Sequence, residues 1–193
     1  MLYTGKGDNG TTKTFGCDQR ISKSSAIAEA LGSLDEINSF LGLVKIKSTG
    51  VILKLEMGDI VFVDIIGRIQ QDLFIIQAEL AGADKKIVEG KVKWLESIIN
   101  DIEKILPPIK TFFVSGGCEL ATLCDISRTI ARRAERRVVG VSDEHNQSAQ
   151  GLSLRNVSPQ TLAYLNRLSS VLYAFARAAN HINNITEEAP MYE

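Results

Sequence analysis

Ser127-Arg128-Thr129-Ile130-Ala131-Arg132-Arg133-Ala134-Glu135-Arg136-Arg137 decides how this chain is read. Five arginines and one glutamate in eleven residues give a local charge of +4, against -1 for the whole chain. No Gly or Pro interrupts the run, and Ala, Ile and Arg are good to fair helix formers, so the stretch reads as helix. At about 100° per residue, Arg128, Arg132 and Glu135 fall within roughly 60° of one another. Leu120, Leu123, Ile126, Ile130, Ala134 and Val138 fall on the far arc and form the expected apolar face. The other face is a guanidinium stripe with one carboxylate in it. Taken alone it is either a solvated cationic face or a phosphate grip, because the guanidinium fork matches phosphate oxygens.

Working outward, the remaining apolar residues recur at alternating spacings of three and four. Ile27, Ala30, Leu34, Ile37, Leu41 and Val44 mark one helix, with Ser24 or Ser25 to cap it. Phe62, Ile66, Ile69, Leu73, Ile76 and Leu80 mark a second, stopped at Gly82. Val88, Val92, Leu95, Ile99, Ile102 and Leu106 mark a third, ended by Pro107-Pro108. The arginine helix is fourth, about 118 to 139. Ser158-Pro159 starts a fifth, carried by Leu162, Leu165, Leu168, Leu172, Phe175, Ala179 and Ile182. Residues 140 to 157 read as polar and irregular. No long strand is visible. The expected fold class is all-α, a five-helix bundle with shallow crossings near about +20°.

Composition sets the outer limits. The 193 residues are 45% hydrophobic and 23% charged, enough for one domain with a core. Near-zero net charge argues against a general nucleic-acid binder. Cys17, Cys118 and Cys124 form no CxxC pair, and only His145 and His181 accompany them, so free thiols are expected rather than a zinc site. No leader peptide and no membrane-length apolar run is visible, so the expected location is the cytoplasm. The three glycosylation patterns at Asn146, Asn156 and Asn184 then carry no meaning.

The first 23 residues are rich in Gly, Thr and Lys. Gly5-Lys6-Gly7-Asp8-Asn9-Gly10 fits G-x-G-x-x-G, but only four residues precede it and polar loop follows. The strand and helix that dinucleotide binding requires are missing. What survives is a glycine-freed backbone able to wrap an anion, with Thr4, Thr11, Thr12 and Lys13 as donors, or else a flexible polar tail. Asp35, mid-helix beside the first seam, needs a partner if buried, and an arginine is the natural one. Asn166 lies at the edge of the fifth seam.

Four motifs in series, over roughly residues 2 to 181, resemble the PduO-type ATP:cob(I)alamin adenosyltransferases. They are Thr4 to Thr12 with Lys23, Glu29 to Asn38, Ser127 to Val139, and the last helix with Tyr164 to Ser169 and Ala176 to Asn180. The resemblance implies a single domain over 1–193: a nucleotide-binding loop over 1–23, a helix bundle over 24–183 and a tail over 184–193. It also implies a homotrimer with ATP bound between subunits. Carried over, Thr4, Gly5, Lys6, Gly7, Thr12, Lys13 and Lys23 hold the nucleotide with Arg132, Arg133, Ala134, Glu135, Arg136 and Asn166. Asp35 and Arg128 pair across the subunit interface, and Phe112 borders the corrinoid pocket. Arg128, Arg132, Asp35 and Phe112 are the implied catalytic set.

The implied reaction moves the 5′-deoxyadenosyl group of ATP to cob(I)alamin and releases triphosphate. Magnesium enters with the phosphates, near Glu135, and not through a metal motif. A cobalamin reductase or a cobalamin-dependent mutase is an implied partner; a membrane is not. A non-catalytic trimeric bundle that senses ATP or delivers the cofactor carries the same arginine and glycine signature. The chain departs from the family at Ser115, where Pro is usual before the glycine pair, which loosens the loop beside Phe112. The apolar connector over 48–58 has no sequence-level account.

Overall fold

A computed structural model describes residues 2–15, 19–55, 58–147 and 157–192, with side chains to 143 in the third segment. Cys17, Asn156 and the side chain of His145 lie outside the described residues. Five helices carry the fold: α1 Ala26–Lys47, α2 Phe62–Ala81, α3 Glu89–Glu103, α4 Glu119–Gln147 and α5 Pro159–Ile182. Two short antiparallel pairs accompany them, β1 Thr11–Thr12 with β2 Ile21–Ser22, and β3 Ile52–Leu53 with β4 Ile60–Val61. α4 packs between α1 and α5, α3 packs on α5, and α2 on α1.

The seams of α1, α2 and α5 bury as their spacing predicts. Leu34, Ile37, Leu41, Ile66, Ile69, Leu73, Leu165, Leu168 and Phe175 are all fully enclosed. Phe62 of α2 stacks on Phe175 of α5 with centroids 4.3 Å apart. Ser158 caps α5 by accepting from the Thr161 N–H at 3.3 Å, with Pro159 in the first turn. Gly82 ends α2 at φ +96°, the left-handed conformation glycine tolerates. Buried polar cross-links fix the layers. Asp72 accepts from the Tyr164 hydroxyl at 3.0 Å and pairs with Lys91. Glu79 accepts from the Thr161 hydroxyl and the Ser158 N–H. Burial and the Asp72 charge push the Tyr164 phenol well above its ordinary pKa.

Several expectations need correction. Ser25 sits at the α1 N-cap, but its hydroxyl donates to Ser22 O rather than capping the helix. Val88 is exposed, and Ile98 takes a core position in α3. That helix ends at Glu103, before the prolines. The arginine helix runs on through Gly140 to Gln147. Leu120, Ala134 and Val138 of the expected arc are buried, but the rest of the enclosed face is turned from it: Ala121, Cys124, Ser127 and Ala131 are enclosed, whereas Ile126 is 42% exposed. The reason is where the helix sits. Wedged between α1 and α5, α4 turns its small side chains to its neighbours, and Ile126 is left outside. The apolar connector after α1 is the β3–β4 hairpin, whose Leu53 and Ile60 bury against the core.

Candidate functional site

The glycine pair before α4 exists because of Asn180. Gly116 and Gly117 have φ +130° and +110°. A Cβ on Gly117 would lie 2.1 Å from Asn180 Oδ1. Asn180 Nδ2 donates to Gly116 O at 2.9 Å, and Cys118 N–H donates to Asn180 Oδ1 at 3.0 Å. Asp125, nearly two turns into α4, accepts from Gly116 N–H at 3.1 Å and from Arg128 Nε at 3.3 Å. One buried carboxylate thus ties the loop to the first arginine of the stripe. Ser115 is flanked by fixed backbone, because Val114 N–H donates to Glu188 O at 2.8 Å on the other side.

The tail returns over this loop. Arg177, 4% exposed, meets Glu187 at 2.9 Å, donates to Pro107 O at 2.9 Å, and lies 5.3 Å from the Phe113 ring centroid. Between the loop, α4 and α5 is a cavity of about 350 Å³. Phe112, Phe113, Arg128, Arg132, Tyr173 and Glu187 are among its walls. Phe112 stands at its rim, 80% exposed. Tyr173 is half-buried 5.8 Å from the Arg128 guanidinium, and burial raises its phenol pKa.

The arginines divide into two sets. Arg133 pairs with Glu36, and Arg137 meets Glu29 at 3.5 Å, both on α1. Arg132 and Arg136 are exposed and find no hydrogen-bond or ion-pair partner among the described residues. Between them Glu135 accepts from Asn166 Nδ2 at 3.1 Å. Asn166 Oδ1 in turn accepts from Arg167, which meets Glu96 at 2.8 Å. Ala134 is buried and faces the core. Asp35 is exposed and pairs with nothing among the described residues, so no Asp35–Arg128 contact forms within one chain.

The N-terminal segment is more ordered than a loop reading implies. The β1–β2 pairing sets Thr11 opposite Ser22 and Thr12 opposite Ile21. Gly5 and Gly10 take φ +66° and +75°. The Lys23 ammonium stands over Gly7, 3.1 Å from where a Cβ would be. The Thr11 hydroxyl, expected as an anion donor, instead donates to Asn9 Oδ1 at 2.6 Å and accepts from Arg20 Nε at 2.7 Å. Within one chain no hydrogen bond or ion pair joins Thr4–Thr12 or Lys23 to Arg132, Arg133 or Arg136 among the described residues. Sequence reasoning missed Arg20, Asp125 and Glu187. The pairing of Asp125 with Arg128 is an i,i+3 contact that helical spacing could have found, whereas the bonds of Asp125 to Gly116, of Arg20 to the leader and of Glu187 to Arg177 follow no spacing rule.

No three His, Cys, Asp or Glu among the described residues converge on a metal position. A divalent cation here would be held chiefly by its ligand's oxygens, with Glu135 the carboxylate at hand. No helix among the described residues is long and apolar enough to cross a membrane.

Residues 2–179 match the family model described as cobalamin adenosyltransferase. The chain is 36% identical over 186 residues to a corrinoid adenosyltransferase of Bacillus subtilis, covering 93% of this chain and 86% of that one. It is 35% identical to the corrinoid adenosyltransferase PduO of Salmonella typhimurium, covering 99% of this chain and 54% of the relative. The chain thus spans about half the length of that longer relative. Among solved structures, a variant PduO-type ATP:corrinoid adenosyltransferase from Lactobacillus reuteri, complexed with cobalamin and ATP, superposes with TM-score 0.83 at 30% identity over 100% of both chains.

Proposed function

The chain belongs to the cobalamin adenosyltransferase family, and on that premise we propose that it transfers the 5′-deoxyadenosyl group of ATP to cob(I)alamin. The observation that carries this reading is Arg132. It is an exposed cation on the face of α4 with no hydrogen-bond or ion-pair partner among the described residues, and it lines the same cavity as Phe112 and Arg128. A guanidinium beside a recess walled by aromatic and polar side chains suits a reaction that joins a polyphosphate to a large macrocycle with polar edges.

The chemistry assigns the rest. Cobalt(I) attacks C5′ of ATP; a carbon–cobalt bond forms, the carbon–oxygen bond breaks, and triphosphate carries the electron pair away. Charge builds on the leaving oxygen, so Arg132, Arg136 and the N-terminal lysines Lys6, Lys13 and Lys23 would stabilise it. Gly5, Gly7, Thr4 and Thr12 would present backbone and hydroxyl donors to the phosphates. Arg133 and Asn166 complete that wall, Asn166 by orienting Glu135, while Ala134 behind them packs α4 on the core. Magnesium would ride on the phosphates near Glu135 and share the charge. No general base is needed, since the nucleophile is the cobalt. Phe112 at the cavity rim would cover one corrin face.

The leader and the arginines do not touch within one chain, which supports a site completed by a neighbouring copy in a homotrimer. Asp35 and Arg128 would pair at that interface. Exposed Ile46, Leu43, Ile126 and Val139 on α1 and α4 are apolar surface that assembly would cover. A strongly reducing substrate and the free thiols of Cys118 and Cys124 fit the cytoplasm. The test is direct: mix the protein with ATP, magnesium and chemically reduced cobalamin, and follow the visible spectrum. Alkylated corrinoid is expected. ATP binding with no alkylation would replace this reading with a sensing or delivery role.

A further inference from the structure

A loop that grips an anion must turn its N–H groups inward and dispose of its carbonyl oxygens elsewhere, because a carbonyl facing phosphate repels it. In the N-terminal segment that disposal is visible at five carbonyls. Gly5 O accepts from Asp8 N–H at 3.2 Å, Gly7 O from Gly10 N–H at 3.1 Å, and Gly10 O from Lys23 N–H at 2.9 Å. These are backbone turns that many sequences could make. The carbonyls of Lys6 and Thr11 have no such neighbour. Both are taken by one side chain: Arg20 Nη2 donates to Lys6 O at 2.5 Å and to Thr11 O at 2.8 Å. Its Nε donates to the Thr11 hydroxyl at 2.7 Å, and that hydroxyl donates on to Asn9 Oδ1. Meanwhile the N–H groups of Gly7 and Asn9 reach no acceptor among the described residues.

We infer that Arg20 is a positioning residue that holds the glycine-rich segment open-handed before nucleotide arrives. It gathers two carbonyls and a threonine hydroxyl on the outer side and leaves N–H donors for phosphate oxygens. The guanidinium is suited to this because it is planar and carries several fixed donors, whereas an ammonium is a compact point charge. Preorganisation of this kind raises affinity by removing the ordering cost from the binding step. The inference rests on the phosphate-binding role proposed for this segment.

The experiment compares the full-length protein with Arg20→Gln and Arg20→Lys by titration with Mg-ATP, by thermal unfolding, and by hydrogen exchange of residues 5–12 without nucleotide. Arg20→Gln is expected to weaken ATP binding about tenfold or more, the scale of one lost charge-assisted hydrogen bond. The midpoint of unfolding should stay the same, since Arg20 lies outside the helical core. Exchange over residues 5–12 should speed up in the nucleotide-free variant, which a residue that merely touches phosphate would not cause. Arg20→Lys should fail to rescue either property. Unchanged exchange, or rescue by lysine, overturns the brace and leaves the transferase reading standing. If the unaltered protein itself binds no ATP, the phosphate-binding role is what has failed.

Discussion

The glycine-rich leader hangs from one half-buried arginine, whereas the 107–117 segment is anchored from beneath by Asn180, Asp125 and Arg177, all under 9% exposed. The leader's bonds face water, where each contributes little and can be exchanged for a ligand's. The second segment's bonds lie where an unpaired partner is costly, so it holds one shape or comes apart. The contrast suits the roles proposed for them. A segment that wraps a polyphosphate gains from donors held ready near the surface, where a ligand can reach them, and one that borders a rigid macrocycle gains from a fixed rim.

Alkaline pH should break the contrast first. Burial pushes the Cys124 thiol, next to Asp125 beneath the second segment, from 9.0 up to about 12. The folded value lies above the unfolded one, so the fold favours the protonated thiol. That stabilisation is complete below pH 9 and is lost as pH rises toward 12, about 4 kcal/mol in all. Urea unfolding at rising pH should show the decline, and Cys124→Ala should make it shallower, leaving the share that the buried Tyr164 phenol contributes above pH 10. Equal slopes in both proteins would remove the thiol from the account.

Next in size is Gly117→Ala. The added Cβ meets Asn180 at 2.1 Å on a backbone at φ +110°, and a cost of about 3 kcal/mol or more is expected. Gly10→Ala, in the leader, meets no atom within 4 Å and carries only the strain of φ +75°, so its cost should be about 1 kcal/mol. Equal losses in denaturant midpoint would erase the difference between the two segments.

A pair of variants separates their functions. Arg132→Ala should weaken ATP binding by about 1.5 to 3 kcal/mol, while Phe112→Ala should spare ATP binding and slow turnover. Calorimetric titration and steady-state rates measure the two, and a Phe112 variant with unaltered turnover would move the corrinoid pocket elsewhere. The smallest effect sharpens the picture of the tail. Glu187→Gln removes the charge facing Arg177 while keeping an acceptor, and should cost about 1 to 2 kcal/mol. It should raise KM for the corrinoid and leave KM for ATP unmoved; a reversed pattern would detach the tail from the cavity.

The sequence by itself determined the five helices, since apolar residues recurring three and four apart line one side of a helix and of no strand. Ser158-Pro159 and Gly82 marked ends for purely local reasons, and the four motifs pointed to the family. Which way α4 turned was decided by packing. Ile126 is as apolar as any core residue, yet small Ala121, Cys124 and Ala131 won the interior because α4 is wedged between α1 and α5. The division of the arginines was likewise tertiary: Arg133 and Arg137 met carboxylates on α1, and Arg132 and Arg136 did not. Arg20, Asp125 and Glu187 bond to backbone or to residues 9 to 14 positions away, or pair at 10 positions across a helix end. Such contacts depend on how the chain folds back in space, and a one-dimensional pattern holds no record of them.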